Sequence, residues 1–330
     1  MIEQWLTIVG ASISVFAVIG VGAAARLAGW LNEEADHSLL QLIIRVLMPC
    51  LILASVVGNP TLKQTSNVLI PPLFGFATMS AGLLVAMAFS RLDYAITGLA
   101  DARERRTFSF AVGIYNYGYL AIPLITILFD RATLGVLFVH NVGAELAFWT
   151  VGVMVIRGEL GKRWWREMIN PPSVTIVVAL TINYLAVDRY VPESLTPLFT
   201  TGVTWLGQSA IPLALLLIGA TIADELRPNG NARRRLDMAK MTGWACLLRL
   251  GALPLLFLLG AALVPGTDEL KRVIAVEAAM PSAVFPIIMA RLYGGSPGIA
   301  LRVALWTSLV SLVTIPFWIP AGLAWLGMTQ

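Results

Sequence analysis

With 330 residues, 58% hydrophobic, 13% charged and a mean hydropathy of +0.79, the chain falls outside the composition of soluble globular domains. Its net charge of +4 is spread over short polar stretches and forms no basic face, which argues against a nucleic-acid partner. No His-Glu-x-x-His or P-loop sequence occurs. Zinc-hydrolase and ATP-driven pump chemistry therefore have no motif to rest on, and no enzyme is expected.

A bilayer is spanned by about 20 apolar residues, and inside lipid such a run satisfies its backbone as a helix. In chain order the hydropathy predicts ten spans, at 5–29, 38–58, 67–90, 107–129, 132–156, 171–188, 196–222, 241–264, 271–293 and 298–324. The opening Met-Ile-Glu-Gln-Trp lacks a basic leader region, so the first span is expected to be retained. The sixth opens at Asn170-Pro171-Pro172, where proline suits a helix start. Cys50 and Cys246 lie in apolar runs at no metal-ligand spacing and are expected as buried thiols.

The loops alternate in charge. One set holds 15 Lys and Arg, among them Arg103, Arg105, Arg106, Arg157 and Lys240. The other holds 5: Lys63, Arg131, Arg189, Lys271 and Arg272. The excess assigns the first set to the cytoplasm and both termini to the outside of the inner or plasma membrane.

Four prolines reveal a duplication. Pro49 and Pro123 are 74 residues apart, as are Pro212 and Pro286, and the second pair follows the first by 163 residues. Ile122-Pro123-Leu124-Ile125 reads against Phe285-Pro286-Ile287-Ile288 at that offset. Two halves of five spans, 1–158 and 171–330, enter the membrane in opposite senses because five is odd. The expected architecture is thus an all-α integral membrane protein of ten transmembrane helices in a 5+5 inverted-topology repeat. All four prolines are expected to kink or break their helices.

The same offset sets Gly118 on Pro281, one helix breaker in each half, near the bilayer midplane in spans four and nine. Unwinding there frees backbone groups and exposes half-helix dipole ends, the sequence pointer to a transporter's binding site. Tyr115, Tyr117, Tyr119 and Ser282 crowd the breaks; each supplies a hydroxyl for a ligand, or simply packs. Buried ionisable groups are the second signal. Glu277 lies one turn before Pro281, and Asn141 and Glu145 share a face of span five. Glu277 with Asn141 and Asn116 could hold a cation, or Glu277 could carry a proton; alternatively it ties to Arg45 or another arginine. His140 is a proton relay or a hydrogen-bonding partner of a neighbouring helix. Arg249 and Arg302 read as bundle ties or snorkelling groups, and Arg45 as an attractor for an anionic substrate.

These residues together resemble the auxin efflux carrier family, whose bacterial members are described as malate or malonate permease-like. The family pattern Gly-Asn-x-Gly-x-x-Gly-x-Pro is met by Asn116, Gly118 and Pro123, with Tyr115 and Ala121 replacing two glycines. Met48-Pro49-Cys50-Leu51, Ile211-Pro212-Leu213 and Met280-Pro281-Ser282-Ala283 follow in family order. The resemblance implies a ten-helix, usually dimeric carrier with a scaffold and a moving crossover domain. It implies a substrate site at Asn116, Tyr117, Gly118, Tyr119, Pro281 and Ser282. Similarity in architecture to the bile acid:sodium symporters keeps sodium at Glu277 open, with Asn141 and Glu145 as further ion-coupling candidates. The expected function is secondary transport of small organic anions such as carboxylates, with Na+ or H+ as a coupling ion and no other cofactor. A sodium- or proton-coupled symporter or exchanger, and a non-transporting membrane sensor or subunit, are the alternatives.

Overall fold

The computed structural model describes residues 2–158, 169–186, 196–225, 232–264 and 266–328. Lys162, Arg163, Arg166, Arg189 and Arg227, which enter the charge count, lie outside the described residues. Among those described the chain is helical, with one isolated antiparallel β-bridge and no strand ladder.

Helix α1 (Ile2–Leu27) is followed by α2 (Glu33–Leu42), which passes through a π-helical turn, Ile43–Leu47, into α3 (Met48–Val56). A 3₁₀ turn leads to α4 (Ser66–Ser90) and the short α5 (Tyr94–Thr97). Next come α6 (Ala102–Gly113), α7 (Ala121–Leu128), and α8 (Arg131–Ala147), which continues through a second π turn into α9 (Val153–Arg157). The second half holds α10 (Pro171–Leu185), α11 (Thr196–Glu225), and α12 (Ala232–Leu247) joined by the π turn Leu248–Ala252 to α13 (Leu253–Leu263). It ends with α14 (Asp268–Ala279), α15 (Phe285–Leu292) and α16 (Pro297–Trp325).

Seven helices among the described residues are long and apolar enough to cross a membrane: Leu6–Leu27, Glu34–Val56, Ser66–Ser90, Arg131–Arg157, Thr200–Asp224, Asp237–Leu263 and Pro297–Trp325. The sixth predicted span is the shorter Pro171–Leu185. Spans four and nine are not single helices: each is two short ones, α6 with α7 and α14 with α15, separated by extended backbone.

The prolines therefore differ from expectation. Pro212 lies inside an uninterrupted α11, and Pro49 follows a π turn in a helix that continues through it. Pro123 and Pro286 occupy the first turns of α7 and α15, just past the breaks. First-turn N–H groups have no intrahelical acceptor, so proline is accommodated there. Cys50 and Cys246 are only half-buried, where burial had been expected.

Packing divides the helices. α1, α2–α3, α10 and α11 pack chiefly on one another, whereas α4, α8, α12–α13 and α16 surround the interrupted pairs. α1 also touches α7 and α16 and so borders both groups. Without water to drive helix association in lipid, small residues that let backbones approach are decisive. A Cβ on Gly143 of α8 would stand 1.7 Å from the Pro72 carbonyl oxygen of α4, and one on Gly75 of α4 would stand 2.3 Å from the His140 carbonyl oxygen. Gly143→Val is expected to cost about 1–3 kcal/mol or more through overpacking, read as a lowered melting temperature in detergent.

Polar clasps close the ends. Arg26 at the end of α1 pairs with Asp36 of α2 and with Asp224 of α11, the latter at 3.2 Å. Arg103 of α6 donates through Nε to the Gly295 carbonyl at 2.8 Å, beside the start of α16. At the opposite end Arg272 of α14 lies 3.6 Å from Asp130 in the α7–α8 loop. The first turn of each interrupted pair thus grips the loop that follows the other pair. Asp130 also caps α8, accepting from the Thr133 N–H at 2.9 Å and its hydroxyl at 2.7 Å. Partial burial pushes this carboxyl up, but the Thr133 hydrogen bonds and Arg272 together hold it below the usual carboxylate range. A depressed acid stabilises the fold above its unfolded pKa, about 3.9, and that contribution fades as pH falls through the folded value. Asp130→Ala is accordingly expected to lose about 1 kcal/mol of cap energy at neutral pH. The gap from wild type in thermal melts should narrow below about pH 4.

Candidate functional site

The two interruptions meet. α6 ends at Gly113 and α14 at Ala279, and the extended segments beyond them cross antiparallel through a bridge between Tyr115 and Ser282. The Asn116 N–H donates to the Pro281 carbonyl at 2.8 Å, and the Ala283 N–H to the Ile114 carbonyl at 2.9 Å. Unwound backbone inside a membrane must find partners within the protein, and each broken span supplies them to the other.

Side chains on the surrounding helices complete the accounting. The Ser282 N–H donates to Thr307 Oγ1 of α16 at 3.2 Å, and the Thr307 hydroxyl donates to the Val303 carbonyl at 2.6 Å. Tyr115 and Thr78 of α4 share a hydrogen bond of 3.2 Å. Asn141 of α8 donates through Nδ2 to the Tyr117 carbonyl at 2.9 Å. The Leu120 N–H donates to Asn116 Oδ1 at 3.2 Å, closing the turn that starts α7.

Of the predicted substrate residues, Asn116, Pro281 and Ser282 are buried at the crossing, while Tyr117, Gly118 and Tyr119 are partly exposed along its edge. A Cβ on Gly118 would have nothing within 4 Å, so the backbone faces open space there. The ion-coupling candidates separate. Asn141 and Glu277 flank the crossing, but Glu145 accepts hydrogen bonds from Asn170 Nδ2 and from the Ser173 hydroxyl at 2.8 Å, at the start of α10. Asn170 opens that helix and caps it by accepting from the Ser173 N–H at 3.0 Å. A carboxylate at a helix N-terminus is stabilised by the dipole, so Glu145 joins the two packing groups and stands apart from Glu277. His140 Nδ1 meets Asn141 Oδ1 at 3.2 Å on its own helix. Arg45 is exposed on the π turn and is not the charge facing Glu277.

That charge is Arg249, which is 0% exposed, against 2% for Glu277. Pro254 has no N–H to offer the Leu250 carbonyl four residues back. The backbone widens there into the π turn Leu248–Ala252, and the Trp318 indole donates to Leu250 instead, at 2.6 Å. Arg249 projects from this turn. Its Nη2 donates to the Ala278 carbonyl at 3.3 Å, at the end of α14, and its guanidinium carbon lies 5.3 Å and 5.2 Å from the ring centres of Tyr115 and Phe257. Arg249 Nε and Nη1, both Glu277 carboxylate oxygens and Ser282 Oγ are buried without a hydrogen-bond partner. The pattern reading treated Arg249 as a tie. Its one sequence signal was its position as the lone charge of span 241–264, five residues before a proline.

Two interrupted helices crossing in a bundle of membrane-length helices define a polytopic membrane protein of the transporter type. The sequence profile of the family described as "Membrane transport protein" matches residues 7–163 and again 156–319, and the chain belongs to that family, the auxin efflux carrier family. It is 24% identical over 310 residues to an uncharacterized transporter of Methanothermobacter thermautotrophicus, covering 93% of this chain and 95% of that one. It is 21% identical over 313 residues to an uncharacterized transporter of Methanocaldococcus jannaschii, covering 92% and 95% respectively. The chain is thus a multi-pass membrane protein of a transport family, and these likenesses point to transport rather than enzymatic chemistry.

Proposed function

We propose that this protein is a secondary carrier of small organic anions such as carboxylates, working by alternating access. The observation that carries the reading is the crossing of two interrupted helices held by reciprocal backbone hydrogen bonds and open at Gly118. On this reading spans four and nine count as broken crossings and Pro171–Leu185 as the sixth, giving ten spans in two inverted halves, 1–158 and 171–330. The charge count supports both termini outside a plasma or inner membrane. The α1, α3, α10 and α11 group is the scaffold, through which two copies would pair as a homodimer. The helices around the crossing move against it.

Asn116, Tyr117, Gly118, Tyr119, Pro281 and Ser282 contact the substrate, whose carboxylate is drawn by amide donors and the positive ends of α7 and α15. Glu277, with Asn141 nearby, is the group through which a proton or sodium gradient would couple. A buried carboxylate without a hydrogen bond supports coupling over simple uniport.

Uptake by proteoliposomes under imposed sodium, proton and voltage gradients tests this. Gradient-driven flux of a dicarboxylate or an aromatic carboxylate is the expected result. Absence of flux for these anions and for the ions themselves would leave the sensor or subunit reading instead.

A further inference from the structure

Resting on the crossing as the transport site, we propose that Arg249 is a built-in counter-cation for Glu277, a specificity-determining residue that occupies the place of a coupling metal ion. Three electron-rich groups converge on its guanidinium, one residue from Glu277. The Ala278 carbonyl lies at the C-terminal, negative end of α14, at 3.3 Å. The faces of Tyr115 and Phe257 flank the charge at 5.3 Å and 5.2 Å. Glu277 is the residue next to Ala278 on α14, with both its carboxylate oxygens buried and without a hydrogen bond.

Carbonyl and carboxylate oxygens are what a hard cation such as sodium seeks. An arginine side chain keeps its proton in proteins, so its charge is permanent. A second positive ion beside it, among groups 2% exposed or less, meets a repulsion that bulk solvent does not screen. Among the described residues no group of three acidic, histidine or cysteine side chains gathers to outweigh that charge. One carboxylate faces one guanidinium, and the pair needs no added metal ion. Of the two coupling ions of the transport reading, Arg249 therefore selects the proton against sodium, and removing its charge turns Glu277 into a cation site.

The test compares thermal unfolding of detergent-purified protein in sodium chloride and in choline chloride at equal ionic strength. The wild type is expected to melt alike in both. R249Q should gain a saturable, sodium-dependent rise of several degrees, as for any ligand bound only by the folded state, and R249Q/E277Q should lose it. Sodium stabilisation of the wild type that E277Q abolishes would overturn the proposal, as would a folded R249Q indifferent to sodium. Should R249Q not fold, recovery of folding in R249K or in R249Q/E277Q supports the charge pair. Failure of both would assign Arg249 to packing and overturn it as well. Because the readout is equilibrium binding, a failure of organic-anion flux leaves this result standing and rejects only the substrate.

Discussion

Asn116→Asp is expected to lose organic-anion uptake by on the order of 100-fold or more. The Asn116 Oδ1 accepts the Leu120 N–H at 3.2 Å, and an aspartate keeps that acceptor in place. What it loses is the Nδ2 donor, and what it gains is a negative charge buried at the crossing, where Asn116 is 5% exposed. A like charge set against a bound carboxylate costs several kcal/mol, and about 1.4 kcal/mol corresponds to each tenfold in affinity. Asn116→Ala makes a different comparison, since it removes the turn contact too. It is expected to lose flux together with about 1 kcal/mol of stability. Melting curves beside uptake rates separate the two effects. Wild-type uptake by a well-folded Asn116→Asp protein would remove Asn116 from the substrate contacts.

The position of this crossing was legible because helix breakers are local signals. Gly118 and Pro281 marked the two interruptions, and both lie in the unwound segments. The prolines misled by a few residues. Pro123 and Pro286 start helices rather than end them, which follows from the free N–H groups of a first turn. Pro212 leaves α11 uninterrupted, so a proline inside a membrane helix need not end it. Helix existence and order followed from hydropathy, because apolar length is a property of each segment alone. Partners did not follow. The contacts of Thr78 with Tyr115 and of Thr307 with Ser282 depend on how each helix is rotated about its axis, and a uniformly apolar span leaves that rotation unmarked. Glu145 shows the same limit from the other side. It shares a helix face with Asn141 in sequence, yet it bonds the start of α10 while Asn141 bonds the Tyr117 carbonyl.

The largest stability effect is expected from separating Glu277 and Arg249. Both are buried, and four of their polar atoms, Glu277 Oε1 and Oε2 and Arg249 Nε and Nη1, are without hydrogen bonds. Arg249 is held by two aromatic faces and by the end of α14, and Glu277 is the one carboxylate beside that end. Glu277→Leu leaves a guanidinium with no opposing charge, and Arg249→Met leaves a carboxylate likewise. Either change is expected to cost about 3–5 kcal/mol, while the double variant should recover most of the loss, because replacing a whole buried pair with apolar side chains is often neutral or stabilising. The double-mutant cycle, read by unfolding in denaturing detergent, isolates the interaction from packing. Additive losses would mean that the two charges are held independently, and that the Ala278 carbonyl and the rings of Tyr115 and Phe257 alone retain Arg249. A recovered double variant that no longer transports would establish the other half of the argument. On the transport reading such a costly pair is retained because the crossing uses its charge, since an apolar pair would serve the fold as well.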